Sequence, residues 1–288
     1  MRNPWILNLL LVALVAALML VVVFKPGKQD EPEGTPLTAL DTAAITRVRL
    51  VHTPEQEIVL EKTGDGQWLL VRPLHARSNP FNVNNLLQLA AAQSEAQLAA
   101  AEHDLAKYGL DKPQSTVWLD DEELQFGNKH PLKNSQYLLY QQTIHLVPAD
   151  LFHATASPYT DFISTRLIAD DRRPTAFTFP QFKLALEDGV WKKDPPDESL
   201  STDDINGFVD EWRHARALSV DKYSGRPVKR RIRVAFARDG EDKDDKKDIL
   251  VLGILEQAPE FILYREDEGL EYRFPEEAGA RLLHLKPQ

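Results

Sequence analysis

The side chains best able to do chemistry in this sequence are scattered. Its eight histidines stand at positions 52, 75, 103, 130, 145, 153, 214 and 284. No two have the three- or four-residue spacing that sets a pair of imidazoles on one helix face to grip a metal. They read as exposed or hydrogen-bonded structural groups, and no metal or cofactor is expected. Cysteine is absent, which removes thiol nucleophiles, disulfides, iron–sulfur clusters and Cys-based zinc sites. The run from Asp239 to Asp248, DGEDKDDKKD, has the acid density of a calcium loop. It lacks the glycine and the closing glutamate of that loop, and its lysines mark a solvated hairpin tip. GDGQW offers only G-x-G with no helix start behind it, so it reads as a hairpin turn rather than a phosphate cradle. Ser224, within YSGRP, lacks the glycines of a nucleophile elbow. Carboxylates are abundant, and a glycosidase-like pair stays open because pair separation is a three-dimensional fact. Trp68, Trp118, Trp191 and Trp212 could line a sugar groove, although hairpin and amphipathic-helix positions point to the core.

The stretch VKRRIRV alternates like a strand, with Lys229, Arg231 and Arg233 on one face and Arg230 out of step. It reads as an outward sheet face or as a stripe that meets an acidic partner or anionic headgroups. The whole chain is acidic: 34 Lys and Arg against 44 Asp and Glu give a net charge of −10 over 288 residues. That balance excludes a nucleic-acid binder, which needs a basic face for phosphates. With 43% hydrophobic and 27% charged residues, the composition is that of a folded chain.

Something must hold these groups in place, and the sequence shows what. Trp5 to Phe24, WILNLLLVALVAALMLVVVF, is a run of twenty residues whose one polar member is Asn8. At about 1.5 Å per residue it covers roughly 30 Å, the thickness of a bilayer core. Trp5 suits the interface at one end and Lys25 and Lys28 flank the other. The run is too long for a signal-peptide core and no small-x-small cleavage site follows it, so an uncleaved single-span anchor is expected. Charge alone leaves the orientation tied; a cytoplasmic N-terminus with the body outside is the simplest arrangement. Lys25 to Leu40, KPGKQDEPEGTPLTAL, reads as an extended linker.

From residue 41 the sequence repeats in outline. ITRVRLVH and EIVLEKTGDGQWLL open one half, TAFTFPQ and FKLALEDGVWKK the other, each with a D-G turn before a strand that carries Trp. A helix follows in both: Asn79 caps one with Pro80 at its first position, and Ser201 caps the other with Asp204 three residues on. The apolar faces Val83, Leu86, Leu87, Ala90 and Ile205, Phe208, Val209, Trp212 share an offset of 122. Further on, Phe126-Gly127 answers Leu252-Gly253, YLLY at 137–140 answers FILY at 261–264, and HLVP at 145–148 answers YRFP at 272–275. The expected fold is α+β: a single transmembrane helix at 1–24, a linker at 25–40, and two tandem similar units at 41–168 and 169–288. Each unit is a mostly antiparallel sheet packed with one main helix, and short helices are expected over Ala149 to Asp171.

The pattern I-x-x-V-x-L, LEKTGDGQW, an apolar helix, and then YGLDKP before two strands ending in FG resembles the bacterial family called domain of unknown function 4340. Tyr108, Gly109, Leu110 and Pro113 match its most recognisable turn, and the resemblance covers about residues 41 to 165. In the second unit YSGRP stands where YGLDKP is expected. The resemblance implies an anchored protein of the Gram-negative inner membrane whose body faces the periplasm, beside an ABC-type export permease. It supplies no catalytic residues. The leading expectation is therefore a non-enzymatic accessory protein with protein partners. A binding module for envelope glycan or lipid, using aromatic residues between the units, comes next, and a carboxylate-dependent hydrolase third.

Overall fold

The computed structural model describes residues 34–53, 56–237 and 248–285, together with Trp5, Leu11, Leu14, Val15 and Met19. These five are helical and exposed. The rest of the apolar run, Asn8 and Phe24 included, and most of the acidic run from Asp239 lie outside the described residues. Among the described residues no helix is long and apolar enough to cross a membrane.

The described body is mixed α+β and every ladder in its sheets is antiparallel. The first part of the chain forms β1 (Thr35–Pro36), β2 (Arg47–Thr53), β3 (Gln56–Lys62), β4 (Trp68–Arg72), β5 (Ala76–Arg77), α1 (Pro80–Leu87), β6 (Gln93–Ser94) and β7 (Ala96–Ala99). It continues with β8 (Ser115–Leu119), β9 (Glu122–Lys129), β10 (Ser135–Tyr140), β11 (Thr143–Pro148) and α2 (Ala149–Thr155). The second part forms β12 (Pro174–Thr178), β13 (Lys183–Glu187), β14 (Val190–Asp194), α3 (Thr202–His214) and β15 (Ser219–Lys222). It ends with β16 (Arg230–Phe236), β17 (Asp248–Glu256), β18 (Glu260–Arg265), β19 (Leu270–Pro275) and α4 (Glu276–Leu283).

One sheet runs β5-β4-β3-β2-β8-β9-β10-β11-β7 and the other β14-β13-β12-β16-β17-β18-β19-β15. Apart from β5 the two orders are the same, strand for strand, with α1 and α3 at one place in the order and α2 and α4 at another. Alternation explains the strands: Ile232, Val234 and Phe236 of β16 are buried while Arg231 and Arg233 between them are exposed. The helices start where their caps are written. The Asn79 side chain accepts from Phe81 N–H, and Ser201 and Asp204 close a reciprocal capping box. Val83, Leu86 and Leu87 of α1 and Ile205, Phe208, Val209 and Trp212 of α3 are buried in one hydrophobic core that draws on both sheets.

Several sequence expectations change at residue level. α1 stops at Leu87, so Ala90 is buried from the turn beyond the helix rather than from the helix itself. Asp188-Gly189 is a two-residue turn with positive φ at both positions, between the paired Glu187 and Val190. Its counterpart is a longer loop between the paired Lys62 and Trp68. YLLY and FILY are one residue out of register: Leu138 pairs with His145, and the residue that pairs the same way with Tyr272 is Leu263. Phe126-Gly127 is two out, since Leu138 pairs with Phe126 and Leu263 with Ile254. Hairpin loops of different length separate look-alike tetrapeptides from equivalent places, and a one-residue slip exchanges the two faces of a strand. The linker expectation also shortens: β1 pairs with β6, Leu37 is buried, and the buried Thr38 hydroxyl donates to Ala90 O at 2.8 Å.

Trp212 is fully buried and its Nε1 donates to Leu282 O at 2.9 Å, tying α3 to α4. Trp212→Phe keeps most of the apolar bulk but leaves that carbonyl without its donor. A loss of about 1–3 kcal/mol is expected in urea unfolding.

Candidate functional site

The two sheets meet at the junction segment, which follows a short 3-10 helix at Tyr159–Phe162. On one side Asn79 N–H donates to Phe162 O and Ser164 N–H to Arg77 O, each at 2.8 Å. On the other, Leu167 N–H donates to Ala215 O at 3.0 Å and Ala217 N–H to Thr165 O at 2.9 Å. The same few residues thus complete a ladder with each half, which satisfies backbone groups that burial would otherwise leave costly.

Charged side chains close this seam. Arg77 Nε donates to Glu268 Oε1 at 2.6 Å, and its Nη2 reaches Arg166 O at 2.6 Å and Tyr272 Oη at 3.1 Å. Tyr272 Oη donates to Glu268 Oε2 at 2.5 Å. Arg265 donates to Leu167 O at 2.7 Å and to both carboxylate oxygens of Asp267. The side chains of Arg265 and Glu268 are only 4% and 10% exposed. Burial pushes the Tyr272 hydroxyl far above its ordinary pKa, with the Glu268 carboxylate adding to the effect. For Asp267 burial acts upward, but the Arg265 guanidinium outweighs it and holds the carboxyl low. A buried charge left without its partner costs several kcal/mol.

Beside the seam lies an open groove of about 550 Å³ between the two halves. Trp68 at the start of β4 and Phe81 in the first turn of α1 give it aromatic surface, and Phe81 is 69% exposed. Arg77, Arg166 and Arg216 give it positive charge, with Asp170 and Asp171 nearby. Arg166 and Arg216 face each other across an isolated antiparallel bridge. Arg166 pairs with Asp170, and Gln67 donates to Asp171 at 3.0 Å. Among the described residues Arg216 has no ion-pair partner.

The residues singled out in the sequence are spread among several places. Trp68 reaches the groove. Trp212 is core, Trp191 packs on Phe177 with ring centroids 5.7 Å apart, and Trp118 is covered by the Arg49 guanidinium 3.5 Å above its ring. Tyr108, Gly109, Leu110 and Pro113 form a turn laid across β9. Gly109 takes φ +70°, Leu110 is buried, and a Cβ on Gly127 would stand 2.3 Å from Tyr108 O, so only glycine lets the turn approach. That makes the turn a packing device. Of the basic stripe, Arg231 pairs with Glu266 at 2.8 Å, and Lys229 and Arg233 are exposed. Arg166, Arg216 and Phe81 were not legible as site residues. The one signal was Phe81, an aromatic residue off the apolar face of its own helix.

Among the described residues no group of three or more His, Asp or Glu is placed to hold a metal. His145 is buried, its Nδ1 has no partner among the described residues, and burial lowers its pKa. Ser224 donates through N–H and Oγ to Glu271 Oε1, at 2.9 and 2.5 Å. Arg226 and Arg273 hold Oε2 at 3.0 and 3.3 Å. Burial alone would raise the Glu271 carboxyl, but these donors and charges hold it below the usual carboxylate range. Ser224 is thus a donor to a stable anion rather than an activated nucleophile. A carboxyl held low is equally unsuited to giving up a proton at neutral pH.

Two predictions follow from this electrostatics. Arg265→Met leaves Asp267 and Leu167 O without this donor and removes one of the two cations beside the buried Glu268, which keeps Arg77, and urea unfolding should show a loss of roughly 3–5 kcal/mol. Glu271 has a depressed folded pKa, so its stabilisation is full above the unfolded value near 4.5 and disappears as pH falls through the lower folded value. The stability gap between the native chain and Glu271→Gln should therefore be wide at neutral pH and close in acid. A gap that stays constant across a urea series run from neutral pH into acid would contradict this assignment.

The family described as Domain of unknown function (DUF4340) matches residues 68–223, more than half of the chain. The match begins at Trp68, crosses the junction and ends at Tyr223, so it takes in Arg77, Arg166 and Arg216 and does not stop near residue 165 as the sequence motifs suggest. No curated protein and no solved structure matches the chain. On a match that contains the junction, the groove arginines and α3, the chain belongs to the DUF4340 family.

Proposed function

We propose that this protein is a membrane-anchored, periplasm-facing accessory protein that binds components of an ABC-type export system. The observation that carries the reading is the twenty-residue apolar run from Trp5 to Phe24 ahead of a folded body. Such a run matches the bilayer core in length. Between it and the first ladder at Thr35 lies a stretch rich in Pro, Gly and charge, long enough to hold the body roughly 30 Å from the bilayer when extended. Asn8 offers a hydrogen bond to a neighbouring span, a weak but directional contact between helices. The body is then read as two tandem units, 41–168 and 169–288, whose common strand order offers two similar outward sheet faces. On the second face Lys229 and Arg233 remain available to an acidic partner surface.

The test is fractionation and co-purification in a Gram-negative host. The full chain should stay in the membrane pellet after a carbonate wash, and deletion of residues 1–24 should release it. Mild-detergent extraction should bring an ABC permease with it. Recovery of the full chain in the carbonate supernatant, or as a lone monomer where other transporter complexes survive, would overturn the proposal.

A further inference from the structure

We propose that the groove between the two sheets is a binding site for a saccharide that carries an anionic group, held by Arg216 and Arg166 and stacked on Trp68 and Phe81. This does not rest on the anchoring or on the export partner, because each of these residues belongs to the folded body.

Three observations combine. First, Arg166 and Arg216 are partners in an isolated antiparallel backbone bridge, and both line the groove. Arg166 spends its charge on Asp170, while Arg216 has no carboxylate in ion-pair reach among the described residues. Burial first, and then the like charge of Arg216, lower the Arg166 pKa, which places the two cations within electrostatic reach of each other. Two adjacent guanidinium groups suit the paired oxygens of a carboxylate or a phosphate. Second, Trp68 and the exposed Phe81 present ring surface in the same groove. An exposed phenylalanine in the first turn of a helix contributes nothing to the core beneath it. Third, hydroxyls, amides and carboxylates also line the groove, among them Thr165, Gln67 and Asp171, beside Gly66, Pro80 and Ala169. Such groups serve a ligand rich in hydroxyls, which both donates and accepts.

The experiment is isothermal titration of the full chain in detergent with tetragalacturonate, glucose 1-phosphate and neutral maltotetraose. The first two separate a carboxylate-bearing from a phosphate-bearing sugar, and binding of either supports the proposal. The expected result is binding of at least one of them, at least tenfold tighter than maltotetraose. Arg216→Gln, at an exposed position without a partner to lose, should weaken it at least tenfold, and Trp68→Leu should do the same. Arg233→Gln, on the outer face of β16, should leave it unchanged. The proposal fails if neither anionic sugar binds at millimolar concentration, if the neutral sugar binds as well, or if Arg216→Gln has no effect. Binding of a short acidic aromatic peptide in place of both sugars would also overturn it. Titration reads binding and the carbonate wash reads anchoring, so failure here is distinguishable from failure of the anchoring.

Discussion

Two guanidinium groups, those of Arg77 and Arg265, are drawn out of water where the sheets meet, and each must be fully satisfied for the halves to pack. Arg77 reaches across to Glu268 and Tyr272 of the β18–β19 hairpin and to the Arg166 carbonyl at the junction, while Arg265, itself in that hairpin, takes Asp267 locally and reaches the Leu167 carbonyl at the junction. A charge buried without its partner is far costlier than a missing surface ion pair. The network therefore defines one relative placement of the sheets rather than a range. The apolar core beneath supplies the bulk of the burial, but apolar contact is non-directional and does not by itself fix an orientation.

The groove follows from that placement. Trp68 and Arg77 reach it from β4 and β5, Phe81 from the start of α1, and Arg166 and Arg216 from the bridge that joins junction to α3. Neither half contains the site alone. The strand β5, which has no counterpart in the second sheet, is what carries Arg77 to the seam. The small β1–β6 sheet likewise has no counterpart, so the repetition is incomplete in the first part of the chain.

Signals in the sequence are legible where the physics is local. Asn79, Pro80, Ser201 and Asp204 mark helix starts because the cap is satisfied within three residues. Asp188-Gly189 marks a turn because positive φ is a property of those two residues. Register is not legible where it depends on loop length and on irregular pairing, as between Gln136 and Leu138 or Ile254 and Glu256. The groove arginines were invisible for a different reason: Arg166 and Arg216 are fifty residues apart and neither belongs to a motif. The basic stripe was visible because Arg231 and Arg233 alternate within one strand, yet part of it is already neutralised by Glu266 from a neighbouring hairpin.

The entry of the chain into the body has a mechanical consequence. The first described ladder is the two-residue pair of β1 with β6, backed by the Leu37 amide on Ala92 O and the Thr38 hydroxyl on Ala90 O. These contacts stand in series between the N-terminal segment and the large sheets. Tension applied from that end would load this small clasp first, so it would peel before any strand of either sheet was disturbed. A chain tugged from its N-terminus would thus lengthen by a few residues while its arginine seam and cleft stayed intact.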